Sequence, residues 1–318
     1  MFRIYYGIIN NNIEVTETCY NKLIKNNIIF IPENDVNRAE LFGDPLSGVL
    51  KSIFISKDNS ISIYKDTKTI FIDTVENTIY TNTDIIPDYI KSIYPFITLS
   101  EKKNYFETKL KNIHEQLKID FGSFNEEYPE QMMAVSYLTG NEKVLEIGGN
   151  IGRNSLVIAH ILNKNNNNNF VSLECDTNIS HQLVYNKELN QLKFFVENSA
   201  LSKRNLIQQG WDTIPSDVVL DGYTKVNTIT LEQLNNKYNI VFDTLVLDCE
   251  GAFYYILMDM PEILNNIKLI IMENDYLDIT KKQYVDNILI QNGFKVDYSE
   301  SGGWGPCYNN FFEVWKKI

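Results

Sequence analysis

The stretch Val144-Leu145-Glu146-Ile147-Gly148-Gly149-Asn150-Ile151-Gly152 narrows the choice of fold more than any other in the chain. Val144, Leu145 and Ile147 are apolar and favour extended backbone, and Gly140-Asn141 and Gly148-Gly149 bound them with turn residues. After Arg153 the period changes. Leu156, Val157, Ile158, Ala159, Ile161 and Leu162 are apolar on most sides, as in a helix packed on a sheet. Glycines between a strand and a helix let a ligand approach bare backbone, and the helix start offers N–H groups without a partner in the helix. The stretch therefore reads as a nucleotide-type cofactor cradle. The dinucleotide form requires G-x-G-x-x-G. Here the glycines fall at 148, 149 and 152, and Glu146 precedes them. An acid at that place suits a ligand with a positive amino group rather than a pyrophosphate.

From Glu142 onward, strands alternate with helices. Strands are expected at 143–147, 170–174, 194–197, 243–248 and 268–273, with an irregular stretch over 202–223. Thr280-x-x-Gln283 reads as a capping box for a late helix that Gly293 closes, and 296–298 with 311–315 as a terminal antiparallel hairpin. Alternation of this kind predicts an α/β, doubly wound sheet, largely parallel, with ligands at the carboxyl ends of its strands. Each expected strand ends in polar groups on that edge: Glu146 and Asn150, Glu174, Asn198 and Ser199, Asp248 with Glu250, and Glu273. Glu174 follows the glycine turn at the interval where a carboxylate accepts ribose hydroxyls, and Asn198 and Ser199 are placed to reach an adenine edge.

The rest of the chain is organised differently. Residues 1–85 form a β-rich module of short strands separated by Asn and Lys-Asp turns. Within it Asp35, Arg38, Phe42, Gly43, Asp44 and Pro45 read as a polar cluster between strands, with Asp35 and Arg38 as a structural ion pair. Residues 86–125 read as a helical connection punctuated by Pro87 and Pro95. Ser100 is its N-cap, Phe106, Leu110, Ile113 and Leu117 its apolar stripe, and His114 lies off that stripe in solvent. Such an amphipathic segment packs on the following domain, or makes a dimer interface in a homo-oligomer. Residues 126–318 form the third segment. Asn165 to Asn169 read as a solvated loop, and His160 and His181 as structural or surface groups.

Composition removes several function classes. The net charge of −12 argues against nucleic acid as a partner, since phosphate binding needs a basic face. No apolar run reaches the ~18 residues of a membrane span, and the start has no signal-type apolar region. Four scattered cysteines without C-x-x-C read as reduced side chains of an intracellular, cytoplasmic protein.

Three motifs, in order, resemble those of FkbM-type S-adenosylmethionine (SAM)-dependent methyltransferases. Glu146-Ile-Gly148-Gly149-Asn150-Ile-Gly152 looks like that family's D-x-G-A-N-x-G, Thr230-Leu-Glu-Gln-Leu234 like its T-L-D-D-L, and Leu247-Asp248-Cys249-Glu250-Gly251-Ala252 like its K-I-D-V-E-G-A. Ala200-Leu201-Ser202 fits its A-L-S segment. Phe253 departs from the family, which often has an acid there, and Glu174-Cys175-Asp176 departs from its E-P. The resemblance implies a Rossmann-like methyltransferase sheet with SAM held by Glu146, Gly148, Gly149, Asn150, Gly152, Glu174, Cys175, Asn198, Ser199 and Asp248. It also implies methylation of a hydroxyl. The N-terminal module, similar to β modules beside glycan-modifying enzymes including those of large DNA viruses, turns the acceptor towards a sugar, as a glycan or nucleotide sugar. For a viral protein the compartment is the host cytoplasm.

An alcohol attacks a sulfonium methyl only when its proton has somewhere to go. Asp248 is the first candidate base, Glu250 the second and Glu273 the third. Asp248 and Glu250 are equally placed to share a divalent cation that acidifies the hydroxyl, and the sequence leaves base and metal open. Trp211 and Trp304 sit in loops suited to stacking on a sugar. A reading from another class is a decayed transferase fold that serves as a binding or scaffolding protein in glycan assembly. An RNA or protein methyltransferase is disfavoured by the acidity.

Overall fold

The computed structural model describes residues 2–58, 60–94 and 99–318, and the side chains of residues 99 and 100 are not described. Pro95 and the capping role of Ser100 lie outside what is described. The chain divides into two compact units, Met1–Glu107 and Thr108–Ile318. That division falls inside the stretch expected as a connection, within the helix Leu99–His114.

The first unit has two four-stranded antiparallel sheets. One orders Asn11–Glu14, Arg3–Ile8, Ser52–Lys57 and Ser60–Tyr64, and the other Ile24–Lys25, Ile28–Ile31, Ile70–Asp73 and Thr78–Thr81. Alternation builds the core. Ile4, Tyr6, Ile53 and Ile55 of one sheet meet Ile29, Ile31, Ile70 and Ile72 of the other. The intervening residues Ile28 and Phe71 face the opposite way and pack against Ile86 and Ile90, next to and within the helix Asp88–Ile93.

The cluster from Asp35 to Pro45 is not a loop ion pair. Asp35–Phe42 is a helix whose N-cap Asn34 accepts from the Val36 N–H. Arg38 is fully buried and donates to three backbone carbonyls, Pro32 (2.9 Å), Lys65 (3.1 Å) and Lys68 (2.5 Å). Asp35 instead pairs with Lys51 at 3.0 Å and accepts from the Tyr6 hydroxyl at 2.6 Å. A guanidinium carries five donors in a fixed fork, so one side chain ties the helix to two turns of the sheets.

In the second unit a seven-stranded sheet comprises β1 (Val144–Ile147), β2 (Phe170–Leu173), β3 (Phe195–Glu197), β4 (Thr244–Leu247), β5 (Leu269–Glu273), β6 (Phe294–Glu300) and β7 (Phe312–Lys317), in the order β3-β2-β1-β4-β5-β7-β6. The first five strands in that order are parallel, and β7 runs antiparallel to both β5 and β6. This is the expected doubly wound α/β sheet with its terminal antiparallel hairpin. Strand order reverses between β1 and β4, which opens a crevice at their carboxyl ends. β1, β2 and β4 are buried along their whole length, as parallel strands covered on both faces must be.

Several local expectations change. The stretch 202–223 is not wholly irregular. Leu206–Gln209, Asp212–Pro215 and Thr224–Val226 form a small antiparallel sheet, turned at Gly210 (φ +58°) and anchored by the buried Ile207 and Val226. The helix Ile279–Gln291 is capped by Asp278, which accepts from the Thr280 N–H, so the Thr280–Gln283 box does not form there. A capping box does form at Thr230 and Gln233. His114 is half-buried, bonded to Gln131 at 2.6 Å and stacked on Phe124, rather than solvated. In the asparagine run, Asn167 donates to the Gly140 and Glu142 carbonyls and so holds the turn before β1.

Arg38→Met should strip three carbonyls of a charged donor at once. Each such bond contributes ~1.5–3 kcal/mol, so the loss should exceed about 3 kcal/mol, with Arg38→Lys recovering only part of it. Urea unfolding of the full chain measures this, and a loss below ~1 kcal/mol would refute the role.

Candidate functional site

At the carboxyl ends of β1, β2, β4 and β5 lies a cleft of about 560 Å³. Gly148, Asn150, Glu174, Cys175, Ser199, Asp248 and Glu250 line it, together with Asp275, Tyr276, Trp211 and Trp304. Nine of these residues, the two tryptophans among them, were singled out in the sequence and reach one cavity.

The turn after β1 is tighter than a ligand cradle alone requires. Gly148 has φ +91°, and a Cβ there would lie 1.6 Å from the Asp248 carbonyl oxygen. Glycine is needed because the backbone after β4 occupies the place of a side chain. Gly149 and Gly152 do not line the cleft. A Cβ at Gly149 would meet Ser172 Oγ at 2.1 Å, and one at Gly152 would meet Leu183 Cδ1 at 2.4 Å. Both glycines serve the close packing of the turn on β2 and on the helix Thr177–Leu189.

Glu174 stands where β2 ends, 6% exposed, on the cleft wall. Its two oxygens each accept a backbone N–H, from Asn150 (2.9 Å) and Asp176 (2.8 Å). A carboxylate has about four acceptor positions, so two remain for a ligand. Burial raises its pKa, and the backbone donors work against that rise. Asn150, at φ +46°, aims its N–H at Glu174 and its side chain at Glu127 Oε1 (3.1 Å). Asn198 is not on the cleft wall. It donates to the Glu174 and Cys175 carbonyls and so fixes the loop that carries Glu174. The Ser199 hydroxyl lines the cleft and donates to Glu197.

Glu146 is a correction to the sequence reading. Alternation along β1 turns its side chain away from the cleft into the space beneath the helix Arg153–Asn163. There it is 2% exposed and accepts from the hydroxyls of Ser155 and Ser172. Burial pushes its pKa up to about 7. It braces the glycine turn from behind and is not on the cleft wall.

The expected pairing of Asp248 with Glu250 also changes. Among the described residues the carboxylates that converge are Asp248, Glu273 and Asp275, whose ligand oxygens lie within 4.8 Å of one another. Glu250, in left-handed backbone (φ +50°), is exposed at the rim. Burial and the neighbouring acids raise Asp248, push Glu273 up to about 12 and Asp275 up to about 6. Glu130 completes the group. It lies on the helix Tyr128–Tyr137, which packs on β5, and the sequence reading did not single it out. A signal was present, since an acid one turn from Met133 and Ala134 sits on a face otherwise apolar.

No protein-family model matches the chain, and no curated protein matches it. Solved structures do. A putative O-methyltransferase from Klebsiella pneumoniae has 13% identity and a TM-score of 0.40, covering 72% of this chain and 94% of its own. An O-methyltransferase from Bacillus cereus, solved with SAH, has 14% identity and a TM-score of 0.37, covering 72% and 96%. A putative tRNA (m1A22) methyltransferase from Streptococcus pneumoniae, solved with S-adenosyl-L-methionine, has 12% identity and a TM-score of 0.38, covering 59% and 71%.

A buried carboxyl whose folded pKa is raised, here from 4.5 to about 7, costs nothing below pH 4.5, where both states hold the proton. The penalty grows between those values and is complete above pH 7, at about 3 kcal/mol. Glu146→Gln should therefore gain stability over the wild type as pH rises from 5 to 8. Paired urea titrations at the two pH values test this, and an identical pH slope in both proteins would remove the assignment.

Proposed function

We propose that the cleft binds SAM and passes its methyl group to a hydroxyl of a sugar acceptor. The observation that carries this reading is the pairing of Glu174 with the turn after β1 at the switch point of the sheet. A buried carboxylate is held there by two backbone N–H groups with two acceptor positions left over. A ribose diol offers two donors to match them. Gly148 and Asn150 beside it leave the backbone bare for the rest of the ligand, and Cys175 and Ser199 close the nucleoside side.

When bound, SAM supplies a methyl on a sulfonium that needs no further activation. The protein's part is to hold the acceptor oxygen in line and take its proton. Asp248 ends β4 on the cleft wall beside that path, and its raised pKa makes its ionised form a stronger base. Asp248 would take the proton of the acceptor hydroxyl as the methyl passed from sulfur to that oxygen, the sulfur leaving as a neutral thioether. Trp211 and Trp304, both on the cleft wall and each about half exposed, offer flat apolar faces to a sugar ring. A polyanionic acceptor fits poorly beside so many carboxylates, which disfavours RNA.

Glu174→Ala should weaken SAM binding ~10- to 100-fold, the loss of ~1.5–3 kcal/mol expected for a charged hydrogen-bond acceptor. Calorimetric titration with SAM measures it, and unchanged affinity would sink the cofactor assignment. Asp248→Asn keeps the shape but not the charge. It should lower turnover on a sugar acceptor ~10²- to 10⁴-fold while SAM affinity changes little. Full turnover in that variant would pass the base role to another carboxylate.

A further inference from the structure

Other buried carboxylates in this protein are met by donors, hydroxyls for Glu146 and backbone N–H groups for Glu174, or by a cation. Glu313, on β7, is bound by the Lys282 ammonium at 2.9 Å, the Trp315 indole N–H at 3.0 Å and the Asn274 amide at 3.1 Å. Glu197 is bound by Lys237 and the Tyr238 hydroxyl. The group around Asp248 has no such partner. Among the described residues, none of Asp248, Glu273, Asp275 and Glu130 is ion-paired to a lysine or arginine. Arg153, near the same turn, is committed to Glu126 and Glu127.

We propose that Asp248, Glu273 and Asp275 bind one divalent cation of the Mg²⁺, Mn²⁺ or Ca²⁺ type, with Glu130 as a fourth acidic group at the same site. Two observations carry this independently. The first is convergence. One oxygen from each of the three carboxylates lies within 4.8 Å of the other two. Two oxygens bound to a common ion at ~2.1–2.5 Å lie at most ~4–5 Å apart, so the spacing suits a shared ion. The second is Glu130. It is 7% exposed, its Oε2 is sealed from solvent without a donor, it meets the Glu273 carboxyl side chain to side chain, and its charge bears on Asp248 and Asp275 as well. A buried acceptor with no donor is costly to leave unmade. A cation satisfies it and the other three together.

The ligand chemistry selects the ion. All four groups are hard oxygen donors, with no histidine or thiolate in the set, which favours Mg²⁺, Mn²⁺ or Ca²⁺ over zinc or copper. The site touches the cleft through Asp248 and Asp275. An ion there would sit beside the atom proposed to take the acceptor's proton and would lower the pKa of a hydroxyl bound to it. Cation binding itself does not rest on the methyl-transfer reading, because it can be measured without SAM or acceptor.

The test is titration of the full chain with MnCl2, followed by the electron paramagnetic resonance of free Mn²⁺ after dialysis against EDTA. One saturable ion per chain is expected, with a rise in melting temperature on adding Mn²⁺. Glu273→Gln and Glu130→Gln should each weaken it about 10-fold or more. Neither substitution removes packing volume, and both relieve repulsion in the free protein. Both variants should therefore melt at or above the wild type without metal, which separates lost ligation from misfolding. The proposal is overturned if the wild type shows no saturable site up to about 10 mM, beyond the weakest ~10⁻³ M class of calcium sites. It is also overturned if both variants bind Mn²⁺ as tightly as the wild type. The acids would then be holding shared protons instead. Failure here with intact SAM binding would leave the cofactor reading standing.

Discussion

The ends of β1 and β4 approach so closely that no side chain fits between them. The Asp248 carbonyl occupies the space a Cβ at Gly148 would need, and the rest of the cleft follows from that contact. It holds the Asp248 side chain at the crevice beside the glycine turn. It also fixes the turn so that the next N–H but one, at Asn150, meets Glu174 on the neighbouring strand. Backbone bonds from Gly148 and Gly149 to the Leu173 carbonyl and from Asp248 to the Ile147 carbonyl tie the three strand ends together, and backbone contacts do not relax as side-chain contacts do. Glu146 supports the same turn from beneath through two serine hydroxyls. The glycines are thus demanded first by the protein's own packing, and access for a ligand is a consequence of it.

The second organising term is desolvation. Moving a carboxylate out of water costs several kcal/mol unless a cation or a proton accompanies it. The last residue of β5 and the two that follow it show both solutions in succession. Asn274 turns to the side where Glu313 and Lys282 are paired, while Glu273 and Asp275 turn to the side where only other acids wait. A strand end that alternates in this way between a neutralised pocket and an unneutralised one has separated a structural face from a chemical one. The raised pKa values of Glu273 and Asp275 express the same imbalance, with burial as the first cause for each.

Much of this was legible in the sequence, and what was not has identifiable causes. Short stretches rich in apolar, β-favouring residues and bounded by turn residues located the parallel strands. The placement of Glu174, Asp248 and Ser199 on one cavity followed from strand ends alone. Glu146 was misassigned because it sits at the last but one position of its strand, where alternation sends it beneath a helix. The cluster was incomplete because Glu130 reaches it from a helix well over a hundred residues earlier in the chain than Asp248. Tertiary proximity of that kind leaves no local period. The small sheet over 206–226 was hidden because its strands are short and only lightly buried, so polar residues mask the pattern. Arg38 looked like half of an ion pair because sequence shows opposite charges side by side. It does not show that three carbonyls converge on one of them.

The two walls of the cleft differ in how they are built, and this bears on how selectivity would be set. The wall carrying Gly148, Asn150 and Glu174 hangs on buried parallel strands with backbone hydrogen bonds on both sides. The rest of the lining includes Gln208, Trp211 and Thr213 from or beside the small antiparallel sheet, and Trp304 from the loop between β6 and β7. That sheet has three short strands and few buried side chains, so substitutions there disturb little of the core. Under the proposed reading the rigid wall serves the cofactor, whose shape never varies, and the lightly anchored wall meets the acceptor. Changes in acceptor preference should then map to residues 206–226 and 302–305, and changes in cofactor affinity to the ends of β1 and β2.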